Sequence, residues 1–298
     1  MYSVLIPTYN YNVTELVIEL HRQAKELSLD FEIIILEDGS VEWVEENRKL
    51  DTLQGCKYIQ LSSNIGRSAA RNRLAEEARF YYLIFMDCDA IVQHDDYLQR
   101  YANFFREQSV VVIGGTAYDE SINDPRYSLR LTYGRKREAN LLYHNREDKY
   151  SNFATFNFLI TKDIFSQLKF DESIDGYGHE DTVFGHSLHE AGYTFFRIDN
   201  TLLHQGLDDN LTFIRKTEES VVNLYRLYTT GKYPYLEKES KLLHSYLQLQ
   251  QKNLVRLVSL AGRLLKPFLR LQLCSRTPSL VLYDVYKLTY LCRTATAN

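Results

Sequence analysis

The sequence predicts an α/β protein with an open, mostly parallel central sheet, continued by a C-terminal helical extension. Three observations carry this reading. Strand and helix signals alternate through the first hundred residues, the rhythm of a β-α-β sheet. The run FEIIILEDGS is apolar on both faces, as a central parallel strand covered by helices must be. Beyond about residue 214 the strand signals stop and helical spacing alone remains.

In chain order, YSVLI is a short apolar run ended by Pro7. Asn12 and Glu15 resemble an N-cap box ahead of Val13, Leu16, Val17, Leu20 and Ala24, which keep helical spacing. After FEIIILEDGS, the short strand KYIQL leads through SSNIGRS into a helix carrying Leu74, Ala75 and Ala78, and YYLIFM is a fourth strand. A helix with Tyr97, Leu98, Tyr101 and Phe104 precedes the strand VVVIGG. Residues 117–152, rich in Tyr, Arg, Asn and Asp, show little periodicity and read as a long loop or insert. Order returns with NFLITKDIF. The glycine-punctuated FDESIDGYGHED then runs into a helix from Asp181 to Ala191 that Gly192 can cap, and YTFFRID and LLHQG follow. The expected division is a domain over 1–213 and a helical extension over 214–298 that turns basic from 252.

Composition narrows the class. A chain of 298 residues with 45% hydrophobic content buries a sizeable core and is not a disordered protein. Cys56, Cys88, Cys274 and Cys292 lack CxxC spacing, which suits reduced thiols better than disulfides or a zinc site. Met1 leads at once into YSVLIPTYN without a basic segment, and no apolar run approaches the roughly 18 residues of a spanning helix. The expectation is a cytoplasmic protein, peripheral at most on the inner face of the plasma membrane. Residues 252–298 hold eight basic residues against the single acid Asp284, so the net charge of −4 divides into +7 there and −11 over 1–251.

The chemistry-bearing residues collect where the strands end. In an open α/β sheet ligands sit in the crevice at the carboxyl ends of the strands, and PTYN, EDGS, NIGR and DCDA all lie there. EDGS reads either as a turn or as Asp38 accepting hydrogen bonds from a ribose or base. Arg67 and Arg71 in NIGRSAARN read either as a solvated helix face or as partners for phosphate. In DCDA, an extended backbone would point Asp87 and Asp89 the same way with Cys88 behind, and carboxylates suit a hard divalent ion shared with a substrate's phosphates. GYGHED sets Glu180 and Asp181 at a helix start, either as acids favoured by the helix dipole or as a general base on a loop that closes over substrate. His204 reads as a satisfied histidine or a metal ligand.

Taken together, VLIPTYN, EDGS, NIGRSAARN, DCDA and GYGHED, in this order, resemble the nucleotide-binding A fold (GT-A) of family 2 glycosyltransferases over roughly residues 1–210. GYGHED followed by His204 is also similar to the GWGxED loop and downstream metal-binding His of galactosyl- and N-acetylgalactosaminyltransferases. The resemblance implies that Pro7, Thr8 and Tyr9 wall the nucleoside pocket and Asp38 contacts the uracil. Arg71 would lie near the base or diphosphate and Asp87 would face the ribose. Asp89 and His204 would hold Mn²⁺ or Mg²⁺, Asp181 would be the catalytic base, and Glu180 would orient a sugar hydroxyl. The implied activity is inverting, metal-dependent transfer of a sugar from a nucleotide-sugar, UDP-linked, to a glycan or lipid-linked hydroxyl.

This sequence departs from the family pattern at three places. The paired aspartates read Glu37–Asp38, the tryptophan of the glycine loop is Tyr177, and the only tryptophan is Trp43. The last excludes the QxxRW motif of processive synthases and implies single additions. A sugar-1-phosphate nucleotidyltransferase would need a GxGxR-type loop where PTYNYN stands, and no GxGxxG follows a strand as a dehydrogenase would require. A non-catalytic nucleotide-sugar or membrane-binding module would lack the acids that are present here.

The tail segment QKNLVRLVSLAGRLLKPFLRLQL interleaves apolar residues with Lys and Arg. It reads either as a core-packing helix with a solvated basic face or as an interfacial helix on an anionic membrane. Nucleic acid is not the expected partner, because the basic residues alternate with Leu and Val and not with stacking aromatics.

Overall fold

The computed structural model describes residues 1–139 and 153–297, so residues 140–152 of the expected loop or insert lie outside the described residues. The chain forms two compact units. The first comprises Met1–Asp119, Glu138–Ser173 and Glu180–Gly206; the second comprises Glu120–Arg137, Ile174–His179 and Leu207–Asn298.

The first unit is built on a seven-stranded sheet of order β3-β2-β1-β4-β8-β6-β9. Its parallel half consists of β3 (Cys56–Gln60), β2 (Phe31–Glu37), β1 (Tyr2–Thr8) and β4 (Tyr82–Met86). The other half consists of β8 (Asn157–Thr161), antiparallel to both neighbours, then β6 (Val111–Ile113) and β9 (Phe195–Arg197), which are parallel to each other. The expected α/β class with a mostly parallel sheet and C-terminal helices is therefore the observed one.

The alternation of side chains along each strand divides the core in two. Val4, Ile6, Ile33, Ile35, Ile84 and Met86 face one side and pack with Val17 and Leu20 of the helix Thr14–Glu26. Leu5, Ile34, Leu36, Leu83 and Phe85 face the other and pack with Leu74 of the helix Arg67–Glu77 and with Phe158. Because both faces are covered, β2 carries no polar side chain between Ile33 and Leu36, which is why it reads as a continuous apolar run. At the start of Thr14–Glu26, Asn12 Oδ1 accepts the Thr14 N–H at 2.9 Å, while Val13 sits at the cap position with its own N–H given to Asn47 Oδ1 at 3.0 Å. Two asparagines thus replace the Asn12/Glu15 box that the sequence suggested.

A second, three-stranded sheet of order β5-β10-β7 was not visible in the sequence as a sheet. Here β10 (Leu202–His204) pairs antiparallel with β5 (Ala90–Val92) and parallel with β7 (Thr116–Ala117), and Ala90 lies opposite His204.

The second unit is helical: Asn210–Thr229, Leu236–Glu239, Lys241–Gln251, Val255–Leu273 and Leu280–Ala297. Asp209 caps the first of these, its Oδ1 accepting the N–H groups of Leu211 and Thr212. Ser128–Tyr133, expected to be loop, is a helix whose Leu129 enters a core with Phe213, Ile214, Leu269, Leu273, Tyr283 and Tyr286. Six residues are too few to display a period, so tertiary packing makes this helix and the sequence does not announce it. Val255–Leu273 and Leu280–Ala297 approach closely at Gly262, where an added Cβ would come within 2.5 Å of Thr289 Cβ.

Phe85 is wholly buried and stacks on Phe158 with ring centroids 4.9 Å apart. We expect Phe85→Ala to lower the stability of the first unit by about 3–5 kcal/mol in urea unfolding; a loss below about 1 kcal/mol would mean that this face repacks freely.

Candidate active site

Four parallel strands end on one edge of the sheet, at Thr8, Glu37, Gln60 and Met86, and the candidate residues stand just beyond those ends. The Thr8 carbonyl accepts the Asp38 N–H at 2.8 Å, which ties PTYN to EDGS. Thr8 is buried, Pro7 is half-buried, and Tyr9 projects outward at 54% exposure, leaving a ring face open beside the strand ends.

Asp38 is buried, and both its carboxylate oxygens accept backbone donors, Oδ1 from Ile65 at 2.7 Å and Oδ2 from Gly66 at 3.1 Å. Burial raises its pKa and these two amides pull it back. Its first task is therefore to hold the NIGR turn, and a base contact would use its remaining lone pairs. Gly39 makes this approach workable: its φ is +72°, and a Cβ there would collide with the Asn64 amide nitrogen. Glu37 is wholly buried, held by Asn47 Nδ2 at 2.6 Å and by Ser40 Oγ, so the departure from paired aspartates serves the scaffold.

Arg71 is the buried cation of the edge, with 3% exposure. Its Nη2 donates to Asp87 Oδ1 at 2.7 Å, and its Nη1 lies 3.9 Å from Glu180 Oε1. The guanidinium stands over the Phe170 ring, 5.7 Å from its centroid. Its Nε and Nη1 are buried with no hydrogen-bond acceptor among the described residues, leaving donors for an oxygen-rich ligand. Arg67, half-exposed, also approaches Glu180 at 3.8 Å.

Glu180 and Asp181 open the helix Glu180–Glu190, preceded by His179 in the left-handed region at φ +77°. Loss of solvent and then the neighbouring Glu180 charge push Asp181 up to about 7, opposed by the Thr182 N–H at 2.7 Å and by Arg71. A carboxylate so placed can exchange a proton near neutral pH.

The DCDA pair differs from its expected geometry. Residues 87–89 form a turn that carries the chain from β4 into β5, from the large sheet to the small one, so the same-side rule for extended backbone does not apply. The two carboxylates take different partners: Asp87 goes to Arg71, and Asp89 Oδ2 lies 3.6 Å from His204 Nε2. Cys88 packs against the core behind them as expected, and burial raises its thiol pKa.

Three features that hold the Asp89–His204 pair escaped the sequence. The His204 ring is sandwiched between Tyr118 at 5.6 Å and Phe156 at 5.2 Å, both nearly parallel to it. Gly206 is required because a Cβ there would collide with Asp89 Oδ2. Asn157 braces the region from below, accepting from Tyr97 and Tyr101 hydroxyls at 2.7 Å each and donating to the carbonyls of Gly115 and Asn200. A Gly two residues after a strand-end His is a legible cue; the aromatic clamp and the asparagine brace come from distant segments and leave none.

The donor set fits a hard or borderline divalent ion. One carboxylate oxygen and one imidazole nitrogen 3.6 Å apart can each stand about 2 Å from the same ion. Among the described residues no group of three His, Cys, Asp or Glu side chains converges for a metal, so further ligands would come from substrate oxygens and water. A separate cavity of about 290 Å³, lined by Asp124, Ser128, Arg135 and Arg276 among others, belongs to the second unit alone.

A parallel sheet with this carboxyl-edge cluster, continued by helices, has the architecture of a glycosyltransferase domain of the GT-A type. Residues 3–168 match the family described as Glycosyl transferase family 2, and the chain belongs to that family. It is 26% identical over 235 residues to chondroitin synthase of Escherichia coli, covering 68% of this chain and 34% of that protein, so it spans about a third of that relative's length. Its fold is similar to that of the mannosyltransferase PcManGT from Pyrobaculum calidifontis, solved in complex with GDP-Man and Mn²⁺. The TM-score is 0.57 at 16% identity, over 99% of this chain and 86% of that one. It is likewise similar to S. aureus TarS 1-349 in complex with UDP-GlcNAc, with a TM-score of 0.52 at 16% identity, over 99% and 91% of the two chains.

Removing the buried cation tests the electrostatics directly. At pH 7, Arg71→Gln should destabilise the first unit by about 3–5 kcal/mol, because Asp87 and Glu180 lose their countercharge. Arg71 is one of the groups that lower the Asp181 pKa, so without it that pKa rises further above its unfolded value, and the deficit is full at high pH and shrinks as pH falls toward 5. Urea unfolding of both proteins at pH 7 and pH 5 measures this, and an equal deficit at both would contradict the charge assignment.

Proposed function

We propose that this chain transfers a sugar from a nucleotide-sugar, UDP-linked, to the hydroxyl of a glycan or lipid-linked acceptor, one addition at a time with inversion at the anomeric carbon. The observation that carries this is the β4–β5 turn: it sets Asp89 against His204 and Asp87 against Arg71, in the same unit as Glu180 and Asp181. Support for the donor class comes from the structural neighbours, one solved with GDP-Man and Mn²⁺ and another with UDP-GlcNAc.

Pro7, Thr8 and Tyr9 wall the nucleoside, and Asp38 meets the base with the lone pairs that Ile65 and Gly66 leave open. Asp87, oriented by Arg71, faces the ribose, and the two spare guanidinium donors of Arg71 take oxygens of the diphosphate. Asp89 and His204 would hold Mn²⁺ or Mg²⁺, which when bound offsets the negative charge that grows on the departing diphosphate. Asp181 accepts the acceptor hydroxyl's proton as that oxygen bonds to the anomeric carbon. The bond from that carbon to the phosphate oxygen breaks, and its electron pair leaves with the nucleoside diphosphate. Glu180, held near Arg67 and Arg71, receives a hydrogen bond from a sugar hydroxyl and orients the ring. The setting we propose is the cytoplasmic face of a membrane, where a surface-glycan precursor is extended.

Asp181→Asn should abolish transfer, by about 10³-fold or more in kcat, while UDP affinity changes little; retained turnover would reduce Asp181 to a helix-start acid. Because Asp181 must be ionised to act and its folded pKa is raised to about 7, kcat/KM should rise with pH through that value. A limb near pH 4 would remove Asp181 from the role. Calorimetry of Asp89→Ala should show UDP binding weakened in Mn²⁺ and unchanged in EDTA; equal weakening in both would place the ion elsewhere.

A further inference from the structure

The helix Val255–Leu273 of the second unit is turned inside out relative to an ordinary surface helix. Its inward positions are Ser259, Gly262, Lys266, Leu269 and Leu273, a row repeating every three or four residues. Ser259 bonds to Thr296 at 3.0 Å, Gly262 abuts Thr289, and Lys266 pairs with Glu218 at 3.0 Å. At about 100° per residue the opposite row is Leu257, Leu260, Leu264, Phe268 and Leu271. These side chains are exposed, Leu264 and Leu271 by 75% each and Phe268 by 61%. A soluble surface helix places such residues inward, and a contiguous exposed stripe of this kind marks an interaction face.

The charge beside the stripe identifies its occupant. Arg256, Arg263 and Arg270 recur every seven residues and form a row along one flank. None of the three makes an ion pair among the described residues, and there is no acid between Lys252 and Tyr283. A second copy of this chain laid against the stripe would bring two such rows together with nothing to neutralise them. An anionic lipid surface satisfies both parts, with acyl chains for the leucines and headgroup phosphates for the arginines. Among the described residues no helix is long and apolar enough to cross a membrane, which leaves a helix lying in the interface plane.

We infer that the outer face of Val255–Leu273 is a docking surface for an anionic bilayer, with Leu257, Leu260, Leu264, Phe268 and Leu271 in the acyl boundary and Arg256, Arg263 and Arg270 at the headgroups. This deepens the membrane-side acceptor reading above by naming the face that would carry it. The docking surface refines the interfacial reading of the tail: the helix packs on the core of its unit through its small residues and two leucines, while its apolar stripe faces out.

Flotation of the full chain with vesicles of phosphatidylcholine alone, and with 30% phosphatidylglycerol added, tests the inference. The wild type should float with the anionic vesicles and detach as salt rises. Leu264→Gln/Phe268→Gln should abolish flotation on both compositions. Arg256→Gln/Arg263→Gln/Arg270→Gln should weaken binding to the anionic vesicles by about 100-fold and equalise the two compositions. Circular dichroism and UDP calorimetry on each variant separate loss of the face from loss of the fold or of donor binding. Failure of the wild type to float would overturn the inference. So would flotation unaffected by either set of changes, or a wild-type dimer that Leu264→Gln/Phe268→Gln splits without any vesicle binding.

Discussion

The edge of the sheet depends on one buried guanidinium. Arg71 is almost wholly removed from water, a placement that is tolerable only because Asp87 meets it at 2.7 Å and Glu180 approaches it at 3.9 Å. The same ion pair fixes the direction of the Asp87 carboxylate and sets the guanidinium beside Glu180, next to Asp181. Asp181, removed from solvent and set beside the Glu180 carboxylate, becomes easier to protonate. Burial and a neighbouring carboxylate thus raise the proton affinity of Asp181, while Arg71 holds that rise in check.

Around that pair, the β4–β5 turn distributes the work. By leaving one sheet and entering another within three residues, the chain points Asp87 at the arginine and Asp89 at His204 without either carboxylate competing for the other's partner. The small sheet exists to deliver His204: Ala90 opposite His204 sets the register, Tyr118 and Phe156 fix the ring plane, and Gly206 leaves room for the Asp89 carboxylate. Asp89 and His204 would by themselves fill only part of a divalent ion's coordination, which would suit an ion that arrives with substrate oxygens.

Much of this was legible in the sequence, for physical reasons. The β2 run is apolar because both its faces are covered, and DCDA and EDGS end strands because acids cannot continue into a core. What stayed hidden depends on chain segments that meet only in space. The strands β5, β7 and β10, two or three residues each, are too short to show alternation, and the helix Ser128–Tyr133 forms because Leu129 finds Phe213 and Leu269, which its own neighbours do not reveal. The turn at 87–89 defeated the extended-strand rule because the chain changes sheets there. In the tail, helical periodicity was visible but its direction was not: counting leucines cannot say that Gly262 faces the protein and Leu264 the outside.

The central claim is that the β4–β5 turn and β10 together make the metal and diphosphate site. Crystals grown with UDP and Mn²⁺ and measured above and below the manganese absorption edge test it most directly. The account predicts a single anomalous peak within bonding distance of Asp89 Oδ2 and His204 Nε2, with the UDP phosphates completing its coordination. Bound UDP with the peak elsewhere, or with no peak, would contradict it.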